Sequence, residues 1–182
     1  TKTVYFVYSG EVMLYNLTKH GNRKVIFILG KGRLLNQSIV SKKPNALFCE
    51  AACPVQVIEI AEKQFLQLME QSHALTRAVL REYERNLWRM GHQLKNTTGN
   101  MQMERKIAAK LWKLGRDFGV DTEDGVMIDI DLTITLMADL VGAPRENVSR
   151  ACKVLTDRGL IRYGNKRFIL IDFDGLAKFY KM

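Results

Sequence analysis

Apolar and polar positions change their period along this chain. Between residues 4 and 60 they fall in short runs: Tyr5–Tyr8, Val12–Leu17, Val25–Leu29, Ala46–Ala52 and Val55–Ile60. Ser9-Gly10, Lys19-His20-Gly21-Asn22, Gly30 and Gly32 punctuate them. Short strands broken by glycine turns predict a roll, sandwich or barrel. From Glu62 the period lengthens, and Phe65, Leu66 and Met69 mark one face of a short helix over Glu62–Glu70. A single long helix follows over about 73–96. In it Leu80, Tyr83, Leu87, Met90 and Leu94 step by three and four, the spacing of a seam against a partner helix. Thr97-Thr98-Gly99-Asn100 then interrupts the pattern and predicts a hinge.

The next helix, Met103–Phe118, is expected to bury Ile107, Ala108, Leu111, Trp112 and Leu114. Gly119–Gly125 has the composition of an acidic loop, and Val126–Ile130 alternates as a strand. The segment Leu132–Tyr163 carries the strongest signals. Thr133 can cap a helix whose core positions are Leu136, Met137, Leu140 and Val141. Gly142 is placed to end that helix in a left-handed conformation. Pro144 suits the first turn of a second helix, whose apolar face is Val148, Ala151, Cys152 and Leu155. Arg145, Glu146, Ser149 and Arg150 lie on its other side, so the pair is a helix-turn-helix with polar, base-reading side chains near the N-terminus of the second helix. Leu160–Tyr163 and Phe168–Ile171 flank Gly164-Asn165-Lys166-Arg167, with Gly164-Asn165 as the hairpin turn pair. Lys166 and Arg167 at its tip make a wing able to touch phosphates.

Charge strengthens this picture. The 182 residues carry 28 Lys and Arg against 19 Asp and Glu, a formal net charge of +9. After Gly142 the basic residues clearly outnumber Glu146, Asp157, Asp172 and Asp174. A basic excess around a helix-turn-helix points to double-stranded DNA. No apolar run reaches the length of a membrane span and no signal peptide is visible, while three sparse cysteines suggest a reducing cytoplasm as the location. Cys49, Cys53 and Cys152 are too few and too sparse for a disulfide framework. Cys49 and Cys53 are expected to be small buried hydrophobes, and Cys152 to pack inside the second helix. His20, His73 and His92 form no metal-ligand pattern, so no metal is expected. There is no phosphate loop and no serine nucleophile elbow. Asp121, Glu123 and Asp124 lack the spacing of calcium ligands and are expected in a solvated turn.

The order roll, long helix, hinge, helix and winged helix-turn-helix, with Ser9-Gly10-Glu11-Val12 and the run from Pro144 to Ile161, resembles the Crp/Fnr family of bacterial transcription regulators. The resemblance spans essentially the whole chain. It implies that Arg145, Glu146, Ser149 and Arg150 face base edges, that Thr133 touches a phosphate, and that Asn147 and Lys153 are backbone contacts or solvent-facing. It also implies an inverted-repeat operator with TGTGA-like or TTGA-like half-sites, and a preceding segment that supplies the first strands of the roll. Cyclic-nucleotide binders of the family place a Gly-Glu pair and an Arg-Ser or Arg-Thr pair in the roll. Here those positions align with Asn36-Gln37 and Asn45-Ala46. Without the carboxylate and the guanidinium, a cyclic phosphodiester would be a poorly compensated charge. Cyclic AMP is therefore not the expected effector. A small-molecule effector of another kind is expected, with a pocket around Leu35, Asn36, Gln37 and Asn45, closed by Tyr83 and Leu87.

The expected fold class is α+β: a partial, jelly-roll-like β-roll over 1–71, a long dimerisation helix and hinge over 72–98, and a winged helix-turn-helix domain over 99–182. The expected function is that of a homodimeric, sequence-specific transcription regulator that is not an enzyme. RNA polymerase is expected as a further partner, through the basic turn Lys19–Lys24 or the acidic segment Asp117–Asp124. Two alternatives are an effector-independent architectural DNA binder and a cupin-like enzyme with a DNA-binding tail.

Overall fold

A computed structural model describes residues 3–19, 21–41, 43–98 and 101–181, with 95–98 described by backbone alone. The chain divides into two compact units, Thr1–Lys95 and Asn96–Met182.

The first unit begins with β1 (Thr3–Ser9), β2 (Val12–Leu17), β3 (Arg23–Leu29), β4 (Phe48–Ala51) and β5 (Gln56–Ala61), followed by α1 (Glu62–Gln71) and α2 (His73–Thr98). The strands form two small antiparallel sheets, β1 with β5 and the order β3-β2-β4. Gly10 turns β1 into β2 at φ +81, and a Cβ there would meet the Pro54 carbonyl oxygen at 2.4 Å. Only glycine fits that left-handed, crowded position. One core cluster gathers Val7, Val12, Leu14, Phe27 and Leu29. A second joins Val4, Leu34 and Ile39 to Phe65 of α1 and Val79 of α2. Helix α2 also docks through polar groups. Arg33 pairs with Glu82 at 2.8 Å, Gln93 donates to the Ile26 carbonyl at 2.8 Å, and the buried Arg89 lies over the Phe27 ring.

The second unit runs α3 (Met103–Phe118), β6 (Gly119–Thr122), β7 (Gly125–Ile128), α4 (Ile134–Val141), α5 (Arg145–Asp157), β8 (Ile161–Gly164), β9 (Arg167–Leu170) and α6 (Phe173–Lys181). Its four strands form one antiparallel sheet in the order β6-β7-β9-β8. Ile107, Leu111, Ile128, Leu132, Met137, Val148, Leu155, Ile161, Phe168, Leu170 and Leu176 close the core between sheet and helices.

Several local expectations need correction. Gly119–Gly125 is not a loop: Gly119–Thr122 pairs with Gly125–Ile128 as a hairpin with Glu123-Asp124 at its tip. The wing turn is Asn165-Lys166, both at positive φ, closed by the Gly164–Arg167 pair. That moves the turn one residue beyond the Gly-Asn pair. Trp112 is only half-buried and stacks on Phe173 of α6. Cys49 is exposed and Cys53 half-buried, its Sγ 2.8 Å from Glu11 Oε2, so neither is a core hydrophobe. Helix α2 continues through Thr98. The rest of the expected hinge, Gly99 and Asn100, lies outside the described residues, as does His20.

Candidate DNA-binding surface and effector cavity

The second unit builds its outer face by local rules. Thr133 Oγ1 accepts from the Leu136 amide at 3.0 Å and caps α4, which satisfies an end donor no helical carbonyl can reach. Gly142 closes α4 at φ 72 and ψ 48. Pro144 is the residue before α5 rather than its first turn, and its carbonyl accepts from Asn147 and Val148. Helix α5 then buries Val148, Ala151, Cys152 and Leu155. Arg145, Glu146, Ser149, Arg150 and Lys153 are all exposed. At about 100° per residue these five share an arc of roughly 140°, turned away from the core. Glu146 in the first turn also complements the positive end of the helix dipole.

Asn147 occupies a different place from that expected. It is half-buried, and its Oδ1 accepts from Arg150 Nη2. The amide thus holds the guanidinium one turn further along the helix. Buried Cys152 has its thiol pushed up to about 11 by desolvation, so it is a neutral packing group.

The wing lies beside α4. The Lys166 carbonyl accepts from the Leu132 amide at 2.7 Å, one residue before the Thr133 cap. Lys166 is exposed at the turn. Arg167, expected beside it as a phosphate contact, is half-buried and ion-paired with Asp129 and Asp131. Arg162 on β8 pairs with Asp124 at the tip of the β6–β7 hairpin.

In the first unit a cavity of about 380 Å³ is lined by Gln37, Ser38, Ile39, Val40, Ser41, Lys43, Pro44, Ala46 and Tyr83. Of the expected pocket residues, Gln37 and Tyr83 are there. Leu35 packs against the core around Phe27 instead. Asn36 is buried, accepting from the Tyr5 amide and donating to the Thr3 carbonyl. Asn45 Oδ1 accepts from the Gln37 and Ser38 amides and so shapes the loop from behind. Leu87 is 72% exposed on α2 and does not line the cavity. Ser38, Ser41 and Lys43 are lining residues the sequence pattern did not single out. Tyr83 reaches the Asn36 carbonyl at 3.4 Å and packs on the core around Val79, so it leaves the seam and joins the cavity. Burial, with a smaller contribution from Glu82, raises its phenol above the usual range.

The other seam residues remain outward: Leu80, Leu87, Met90 and Leu94 are each more than half exposed, as is Trp88. Among the described residues, no three His, Cys, Asp or Glu side chains gather where they could hold a metal ion. No helix among them is long and apolar enough to cross a membrane.

Comparison with known proteins agrees with this geometry. Residues 105–179 match the Crp-like helix-turn-helix domain, and residues 1–72 match the cyclic nucleotide-binding domain. The chain is 24% identical over 176 residues to a CRP-like cAMP-activated global transcriptional regulator of Mycobacterium tuberculosis, covering 96% of this chain and 78% of that protein. It is 24% identical over 167 residues to a global nitrogen regulator of a Nostoc species, covering 90% and 74%. Its fold superposes on FixK2 of Bradyrhizobium japonicum with a TM-score of 0.81 at 20% identity, over 97% of this chain and 86% of that one. Two matched domains in this order, on a structure that pairs a β-roll with a winged helix-turn-helix, place the chain in the Crp/Fnr family of DNA-binding transcription regulators.

Proposed function

We propose that the protein is a cytoplasmic homodimer that binds an inverted-repeat operator and responds to a small molecule held in the roll. The exposed face of α5 carries this reading. Arg145 and Arg150 present guanidinium forks able to take guanine O6 and N7, Glu146 can accept from cytosine N4, and Ser149 lies between them. Thr133 and Lys166, brought together by the Leu132–Lys166 hydrogen bond, approach the phosphates on one flank, with Lys153 on the other. The stripe Leu80, Leu87 and Leu94 pairs with its copy across a two-fold axis, and the dimer so formed carries two α5 helices for two half-sites.

The effector is not a cyclic nucleotide. Gln37 is engaged through Oε1 with the Leu47 amide and through Nε2 with the Leu35 carbonyl, and Asn45 is occupied with the loop backbone. Neither supplies the carboxylate that a ribose requires or the guanidinium that forks onto a cyclic phosphodiester, and Lys43 on the lining offers only a point charge. Lys43, Ser38 and Ser41, next to Ile39, Val40 and Pro44, suit a small acid with an apolar body. Isothermal calorimetry with cyclic AMP and cyclic GMP is expected to show no sub-micromolar binding, and such binding would overturn this assignment. RNA polymerase contact falls to the basic segment Lys19–Lys24, in which Lys19, Gly21 and Asn22 are exposed, or to the acidic segment Asp117–Asp124, as in the activating mode expected of the family.

The full chain incubated with a random duplex pool is expected to enrich a two-fold symmetric site, with half-sites about one helical turn apart. Enrichment of no motif, or of a single asymmetric half-site, contradicts the reading.

A further inference from the structure

We propose that Asp129, Asp131 and Arg167 form an intramolecular clasp. It withholds Arg167 from DNA, leaves the wing's phosphate contact to Lys166, and so keeps sequence-independent affinity low. The inference rests on the DNA-binding reading of the wing and assigns new roles within it.

Arg167 sends both ends of its fork to carboxylates on the approach to α4. Nη1 meets Asp129, and Nη2 lies 3.5 Å from Asp131 Oδ1. The backbone closes the same junction, because the Leu132 amide donates to the Lys166 carbonyl. The wing tip is therefore fixed to the segment that leads into Thr133 by one backbone bond and one forked ion pair. A single exposed pair would contribute little. Here, however, one cation sits between two carboxylates, so its surroundings are net negative and do not attract a phosphate. On the neighbouring strand Arg162 is likewise paired, with Asp124. Asp124, Asp129 and Asp131 together cancel the formal charge of Arg162, Lys166 and Arg167. A wing that is basic in sequence is thus electrostatically balanced in the fold.

Sequence-independent binding grows with each phosphate a protein neutralises, through counterion release. A clasped arginine releases none. Discrimination then rests on the uncancelled arginines of α5, where base identity is read. Asp129 and Asp131 are positioning residues for the wing, and through it they set the ratio of specific to non-specific binding.

The test is the salt dependence of DNA binding by the full chain, on the enriched operator and on a scrambled duplex. Lys166→Ala calibrates the assay, and its slope of log K against log salt is expected to fall by about one unit. Asp129→Asn with Asp131→Asn, isosteric changes at exposed positions, is expected to raise the slope by about one unit and scrambled-duplex affinity by up to about tenfold near 0.1 M salt. Adding Arg167→Ala to that pair is expected to cancel the gain. If the Asn pair leaves the slope unchanged while Arg167→Ala in the otherwise native chain lowers it by about one unit, Arg167 is a direct phosphate contact and the clasp is refuted. If Lys166→Ala itself leaves the slope unchanged, the wing does not lie on the backbone, and the DNA-binding assignment of the wing fails instead.

Discussion

Replacing Leu87 by alanine tests whether the outward stripe of α2 is a dimer seam. Leu80, Leu87 and Leu94 recur every seventh residue, and Leu87 in their centre is 72% exposed. Burying a leucine side chain completely contributes about 1.5–3 kcal/mol. With roughly seven-tenths of that surface still open, closing a partner helix over it contributes about 1–2 kcal/mol per protomer. The two-fold axis doubles the term, and alanine keeps a small part of it. Leu87→Ala is therefore expected to weaken dimerisation by about 2–3 kcal/mol, or about 30- to 150-fold in the dissociation constant. The remaining stripe should still hold a weakened dimer.

Sedimentation equilibrium from nanomolar to micromolar protein reads that constant directly. Leu68→Ala is the control, an exposed leucine on α1 away from the stripe. Leu87→Glu carries the argument further. Two carboxylates would face each other in a closing apolar contact without partners, so the protein should be monomeric and operator binding weak. Operator affinity of the alanine variant should fall only at concentrations below its dimer constant, because each subunit keeps an intact α5. A dimer constant unchanged by Leu87→Ala, or a native chain that is monomeric at micromolar concentration, would refute the seam.

Three further outcomes follow from the second unit. Arg150→Ala should cost about 1–3 kcal/mol on the preferred operator and relax one guanine position, measured by titrating single-base variants of the site. An equal loss on every variant would make Arg150 a phosphate contact. Asn147→Ala, which removes the oxygen that holds Arg150, should reproduce part of that loss with the same base preference. Burial raises the Cys152 thiol to about 11 in the folded chain, so it stays neutral while the unfolded chain ionises in the ordinary thiol range. Its contribution to stability is then fully present below that range and lost as pH climbs toward 11. Chemical denaturation across this window should show a shallower loss in Cys152→Ala than in the native chain, and parallel curves would contradict the assignment.

What the sequence made legible was set within a few residues. The Thr133 cap, the Gly142 stop and the apolar face of α5 each depend on neighbours one to four positions away, and the fold uses all three as the pattern predicts. Helix α6 escaped notice although it carried a comparable signal, since Asp172 Oδ1 accepts from the Gly175 amide at 2.8 Å. Strand β6 is different in kind. Gly119–Thr122 is short and exposed throughout, and only its pairing with β7 makes it a strand. The wing turn slipped by one residue for a related reason. Gly-Asn is the better turn pair in isolation, but Ile161 opposite Leu170 fixes the register, and a one-residue slip would turn a buried side chain to solvent.

The site residues divide along the same line. Asn36, Asn45 and Arg167 have the chemistry of ligand and phosphate contacts. Each is committed elsewhere, two to backbone groups of the roll and the third to carboxylates 36 and 38 residues earlier in the chain. These three side chains are taken up by partners within the fold, and for Asn36 and Arg167 those partners are distant in sequence. Arg145, Glu146 and Ser149 were correctly placed on an open surface because helical periodicity alone excludes them from the core. The same logic ranks the basic residues of the second unit: those on the outer arc of α5 and at the wing turn are exposed to solvent, whereas those on the wing strands are balanced by the acids that face them.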